Sequence, residues 1–379
     1  MQYFFVLLVN FVSYYISKSI AHRKTNHLFD YMVIIFTMSF VCFGYMTGTD
    51  WRNYEQSYQW LGFDTFVSSI AFWEPGYIFL VSLFRFLHID FWPFLITVKI
   101  ITFLSFCSFL RKYGKDKFFL IMTFFLSFYG YYFWIDNPLR NLCAFTIFLF
   151  TIEAIYTKKK AKFIFTVALA VLFHYSAIII LPMYWILRSK FKTGSIVLIY
   201  LVVTILFLNI NLIFKIIDLL FGWFPIIQAK LYAYSSEVDG KMFSLGFILH
   251  NIFFILILMS RKKIESLQYG NIIFMGAVVY VFIFRLGLTF TVFMRFAMYF
   301  AVLYSLAVIY VLNNLKIESK SIYVSYLLAV SMLSCYNSIS KDYRYVPYSN
   351  YLEYIFKPKP SFEYRASYNP INSPYKSEE

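Results

Sequence analysis

Apolar runs of about 20 residues, the length that crosses a bilayer, recur from one end of this chain to the other, with short basic clusters between them. That alternation leaves few choices of fold. A segment surrounded by hydrocarbon must satisfy its backbone hydrogen bonds within itself, so runs of this kind become helices. The runs account for nearly the whole chain and leave no stretch for a separate soluble domain. Composition agrees, since 61% of the 379 residues are hydrophobic and only 14% are charged, too little polar surface to cover a soluble globule of that size. The expected fold is an all-α polytopic integral membrane protein of about 11–12 hydrophobic helices, some of them broken or re-entrant. Residues 1–339 form a single transmembrane domain in this reading, with outer-face loops at 48–74 and 215–244, and residues 340–379 form a tail on the same face.

A net charge of +15 raises the question of nucleic acid. The basic residues sit in short clusters between spans, which is how positive charge is distributed on cytoplasmic loops, and no nucleic-acid partner is expected. Assigning each cluster to the inside gives inner loops at His22–Lys24, Arg111–Lys117, Lys158–Lys162, Arg188–Lys192, Arg261–Lys263 and Lys316–Lys320. The outer face then receives Gly48–Glu74, Trp134–Asn141, the neighbourhood of His174, Lys215–Ser244, Arg285–Arg295 and the tail. The N-terminal run Gln2–Ile20 lacks a basic region before it and reads as a retained first span with its N-terminus outside. Cys42, Cys107, Cys143 and Cys335 each lie in an apolar run without a CxxC pair, so they read as small core residues and no metal site is expected.

Parity strains this topology in two places. Between Glu74 and Arg111 two apolar runs occupy room for one full crossing, which predicts that Gly76–Leu87 is a half-buried or re-entrant helix. Between Lys162 and Arg188 two crossings are required of a segment about 39 Å long as a continuous helix, which predicts a break near His174-Tyr175-Ser176 or at Pro182. Broken helices at membrane depth line protein or a water-filled cavity. The tail is expected to be an ordered loop up to about Phe356 and to fray beyond it.

The polar residues that could carry chemistry gather on the outer face. Asp50, Trp51, Arg52 and Tyr54 open its first loop, and Trp73, Glu74 and Tyr77 close it. Carboxylates beside aromatic rings suit a carbohydrate, whose faces stack on rings while its hydroxyls bind acids; an interfacial aromatic belt has the same composition. In Asp136-Asn137-Pro138-Leu139-Arg140, Asn137 can cap a helix, leaving free N–H groups and the positive dipole end facing out beside Arg140, an arrangement that suits a phosphate. Asp136, one helical turn before Arg140, could orient its guanidinium. His174 stands in the outer half of the membrane and can donate to a phosphate or sugar oxygen, or satisfy a neighbouring carbonyl. Arg285 and Arg295 have almost no acid nearby in sequence and need an anion, either a diphosphate or lipid head groups. No G-x-S-x-G, H-E-x-x-H or Walker element occurs.

Several of these stretches together resemble the EpsG family of bacterial membrane proteins, polysaccharide polymerases of Wzy type. They are Gly48-Thr49-Asp50-x-x-x-Tyr54, Glu74-Pro75-Gly76-Tyr77, Asp136-x-x-x-Arg140, Phe173-His174-Tyr175-Ser176-Ala177 with Pro182 beyond, Arg295-x-x-x-Tyr299-Phe300, and Pro347-Tyr348. The resemblance implies a GT-C-like glycosyltransferase of the bacterial inner membrane whose active site faces the periplasm. It would polymerise undecaprenyl-diphosphate-linked oligosaccharides into O-antigen or a related surface polysaccharide, moving the growing chain to the non-reducing end of a new lipid-linked unit. Arg140 and Arg295, with Arg285 and His174, would hold the donor diphosphate; Asp50 or Asp136, with Glu74 as third candidate, would accept the proton of the attacking hydroxyl. Arg52, Tyr54 and Tyr299 complete the expected substrate-binding set. Neither metal nor cofactor is implied, and the implied partners are the lipid-linked substrates, membrane lipids and a chain-length regulator protein. A ligase that moves the glycan to another acceptor is the alternative enzyme; a flippase of lipid-linked glycans is the alternative transporter.

Overall fold

The computed structural model describes residues 1–20, 26–207 and 244–375, together with Lys215, Asp218 and Leu219. The expected inner loop His22–Lys24 and nearly all of the outer loop 215–244 lie outside the described residues. Among the described residues, five helices are long and apolar enough to cross a membrane: Phe91–Gly130, Leu139–Tyr156, Gly270–Gly287, Val292–Asn314 and Ile317–Ser340. Gln2–Ile20 and the shorter apolar helices Leu28–Cys42, Pro75–Phe86, Tyr175–Ile186, Thr193–Leu206 and Leu245–Met259 accompany them. The chain is an all-α polytopic membrane protein.

Of the two segments where parity strains the topology, the first holds a short helix and the second a broken one. The run after Glu74 is a single helix, Pro75–Phe86, of 12 residues, hence about 18 Å long and too short for the hydrocarbon core. After Lys160–Phe173 the α-helix stops at His174, and a tighter 3-10 helix runs over Tyr175–Ile180. Pro182, which has no N–H to give, then precedes the short Met183–Ile186 helix.

The chain folds as two compact units. The first contains Met1–Phe150, Phe165–Tyr175 and Lys316–Glu379. Its aromatic core gathers Trp51, Tyr54, Tyr58, Tyr77, Phe91, Trp92 and Phe94. Two short strands, Gly44–Tyr45 and Ser349–Asn350, pair antiparallel within it, Gly44 opposite Asn350 and Tyr45 opposite Ser349. Tyr348 stacks on Phe40 with ring centroids 4.4 Å apart and donates to its carbonyl at 2.6 Å, which accounts for the Pro347-Tyr348 pair in an otherwise polar tail. The second unit contains Thr151–Ile164 and Ser176–Leu315. There Gly270–Gly287 and Val292–Tyr310 pack as a helical hairpin, with Tyr280 stacked on Tyr304 at 4.2 Å.

The tail departs from expectation. Instead of fraying past Phe356 it forms a helix, Phe362–Asn372, capped by the Ser361 hydroxyl accepting from the Tyr364 N–H. Arg365, on that helix, is buried, pairs with Glu55 at 2.5 Å and lies over the Trp51 ring. A buried arginine demands a partner; Glu55 supplies it and so orders the segment.

Candidate functional site

The Glu74-Pro75-Gly76-Tyr77 stretch builds one corner of the first unit. Pro75 opens the Pro75–Phe86 helix, where its missing N–H costs nothing. The Glu74 carbonyl accepts the N–H groups of Tyr77 and Ile78, while its carboxylate makes no cap bond and turns elsewhere. A Cβ on Gly76 would lie 2.8 Å from the Leu172 carbonyl oxygen, so only glycine lets this helix approach the end of Lys160–Phe173 so closely. That approach brings His174 to Glu74, Nδ1 to Oε1 at 2.9 Å.

Arg140 arrives from another element. Pro138 precedes the Leu139–Tyr156 helix and its carbonyl accepts the Leu142 N–H, setting Arg140 in the first turn. The guanidinium donates to Glu74 Oε2 and, through Nε, to the Tyr54 hydroxyl at 3.4 Å, and it lies 4.8 Å from the Trp73 ring centroid. Glu74 is 3% exposed and Arg140 is 28% exposed, so the acid is enclosed while the cation keeps an open side. Burial pushes the Glu74 carboxyl up, but the hydrogen bond from His174 and the charge of Arg140 outweigh it and hold the group below the usual carboxylate range. An ionised carboxylate only accepts, so His174 Nδ1 carries the hydrogen and Nε2 is left as the second functional nitrogen of the ring. Burial raises the Tyr54 phenol to about 12 against the lowering charge of Arg140, so it stays a neutral hydroxyl near neutral pH.

Asp136 does not serve Arg140. The four-residue spacing is one turn only on a continuous helix, and here Asn137 takes the left-handed conformation, φ 69° and ψ 49°. Asp136 instead accepts from the Thr49 N–H at 2.8 Å and hydroxyl at 3.3 Å, and its other oxygen lies 3.6 Å from Arg344 Nη1. Gly48 donates to the Arg344 carbonyl at 2.7 Å. Gly48 has φ +79°, and a Cβ there would lie 2.5 Å from the Asp136 Cα, so the glycine is required twice over. The Gly48-Thr49 motif therefore docks the Asp136 turn and the tail onto each other. Burial raises the Asp136 carboxyl, with the Thr49 N–H and the Arg344 charge acting against it. The expected cap also differs: among the described residues the buried Asn137 side chain has no hydrogen-bond partner, and its backbone carbonyl meets the Leu139 N–H.

Asp50 is half-buried in the first turn of Asp50–Trp60, a favourable end for a carboxylate, one turn before Tyr54. Arg52 is half-buried beside Trp51. Three predicted residues belong to the second unit. Arg285 is fully buried, Arg295 is exposed, and the Tyr299 hydroxyl meets the Ser176 hydroxyl at 2.9 Å. Within that unit the two arginines have opposite exposure. Arg344 was not legible in the sequence as a partner of Asp136; its sole local signal is Asp342, which grips its guanidinium at 2.6 Å.

The family model of the EpsG family matches residues 27–354. The chain belongs to the EpsG family. Members of the EpsG family are membrane proteins that resemble polymerases of Wzy type, and the match suggests a function like that of a membrane glycan polymerase. It includes Glu74, Asp136, Arg140, His174 and Arg344 and ends before the Phe362–Asn372 helix. Searches of curated proteins and of solved structures find no match.

Proposed function

We propose that this EpsG-family protein polymerises oligosaccharides carried on undecaprenyl diphosphate, on the periplasmic face of the bacterial inner membrane, into O-antigen or a related surface polysaccharide. The observation that carries the reading is the Arg140–Glu74–His174 cluster: a partly open guanidinium and an imidazole, both fixed by one enclosed carboxylate. Arg140 receives the donor diphosphate on its open side and stabilises the charge that grows as the glycosidic C–O bond breaks. Trp73 and Tyr54 border it with the ring and hydroxyl that a sugar needs.

His174 accepts the proton of the attacking hydroxyl at Nε2, the hydroxyl oxygen bonds to the anomeric carbon, and the diphosphate leaves with the bonding electron pair. Glu74 is then a positioning residue, which fixes the imidazole tautomer and holds Arg140. Asp50, the more accessible of the three candidate carboxylates, is the alternative base, and Asp136 is assigned to architecture. Arg295, exposed in the second unit, is a separate candidate contact for the substrate.

The test is the glycan ladder made by cells in which the gene is replaced by variants. Loss of the protein is expected to leave single repeat units attached to the final acceptor. Absence of any attached glycan would favour a ligase or flippase and overturn the reading. His174→Gln is expected to remove long chains with the protein still in the membrane, and full activity in that variant would return the base to Asp50.

A further inference from the structure

The second unit contains a cation that the proposed chemistry does not use. Arg285, in the last turn of Gly270–Gly287, has no exposed surface. Among the described residues its guanidinium makes one hydrogen bond, Nη2 to the Thr204 carbonyl at 3.3 Å, and it lies 5.6 Å from the Phe247 ring centroid. Among the described residues Nε and Nη1 are buried with no partner, and so is the hydroxyl of Thr289, four residues on and itself fully buried. Arginine does not shed its proton in proteins, so this is a permanent charge with most of its donors unused. The helix C-terminus provides some negative potential, but a dipole end does not occupy the three N–H donors of Nε and Nη1 or the hydroxyl.

We infer that Arg285 and Thr289 form a phosphate-binding site built within the second unit and independent of Arg140. A guanidinium fork with an added hydroxyl matches the tetrahedral oxygens of a phosphate. In a membrane protein that phosphate comes from one of two sources, a phospholipid head group or the diphosphate of a lipid-linked substrate.

The experiment uses the full-length protein purified in detergent. Thermal unfolding is followed with increasing inorganic pyrophosphate for the native chain, Arg285→Gln, Thr289→Val and Arg140→Gln, and phospholipid retained after extensive washing is counted by mass spectrometry. A head-group site is expected to retain phospholipid in the native chain and lose it in both Arg285→Gln and Thr289→Val. A diphosphate site is expected to retain none, while pyrophosphate raises Tm in the native chain and still in Arg140→Gln, and raises it clearly less in both Arg285→Gln and Thr289→Val, where Arg140 is left to bind it. Thr289→Val keeps the charge and the side-chain shape, so it reads the site even if Arg285→Gln fails to fold. Retained lipid or a pyrophosphate shift that is unchanged in Thr289→Val overturns the inference, as does the absence of both in the native chain. A pyrophosphate shift lost only in Arg140→Gln, with no phospholipid retained by the native chain, overturns it too, while leaving the role proposed for Arg140 intact.

Discussion

Glu74 and Asp136 are both nearly enclosed carboxylates of the same unit, each beside an arginine, and they are held in opposite ways. Glu74 spends its oxygens on two side chains, Arg140 and His174, and its carboxyl is held below the usual range. Asp136 spends one oxygen on the backbone and hydroxyl of Thr49 and turns the other to Arg344, and its carboxyl is raised. A carboxylate that organises side chains can pass its order on to a substrate. One that ties backbone segments together maintains the fold. The two polar islands look alike in sequence, and the difference arises from what reaches them across the fold.

Arg140→Ala gives the largest expected effect: long chains fall by about 100- to 1000-fold, the cost of deleting one transition-state donor, at unchanged abundance in the membrane. Arg140→Lys recovers little of this if the contact is bidentate. Glu74→Gln is next. It frees the imidazole tautomer and loosens Arg140, and the pH profile of polymerisation in isolated membranes should shift as well as fall; a uniform fall with an unchanged profile would reduce Glu74 to a structural role. Gly76→Ala forces a Cβ against the Leu172 carbonyl and should lower stability by about 1–3 kcal/mol, read as a drop in Tm in detergent, with activity lost as His174 withdraws.

The two carboxylates should also respond to acid with opposite sign. Glu74, depressed in the folded state, contributes stability above the ordinary carboxylate pKa that is lost as pH falls through its lowered value. Asp136, raised in the folded state, takes its proton before the unfolded chain does, so stability rises as pH falls from its raised value towards the ordinary one. Comparing Tm against pH in Glu74→Gln and Asp136→Asn should remove the first and the second trend respectively. Asp136→Asn is the mildest change, within about 1 kcal/mol at neutral pH, because the amide oxygen still accepts from Thr49.

Much of this was legible because a polar residue in a membrane chain is conspicuous. The break at His174, the short helix after Glu74 and the candidacy of Trp73, Glu74 and Arg140 all follow from apolar run lengths and the few charges between them. Which acid meets which arginine was not legible. Asn137 at φ 69° breaks the turn that would pair Asp136 with Arg140, and nothing in the local sequence requires that conformation. The tail partners Arg344 and Arg365 are remote in sequence from Asp136 and Glu55, where spacing carries no information. Arg285 was legible as a cation in need of an anion, but its enclosure and its separate contacts became visible only with the packing of its helices.

The most direct test of this division is the length of the glycan made by Arg140→Ala and by Asp136→Asn at matched abundance in the membrane. The account predicts single repeat units from the first and a near-normal ladder from the second. A normal ladder from Arg140→Ala, or single units from a stably folded Asp136→Asn, would contradict it.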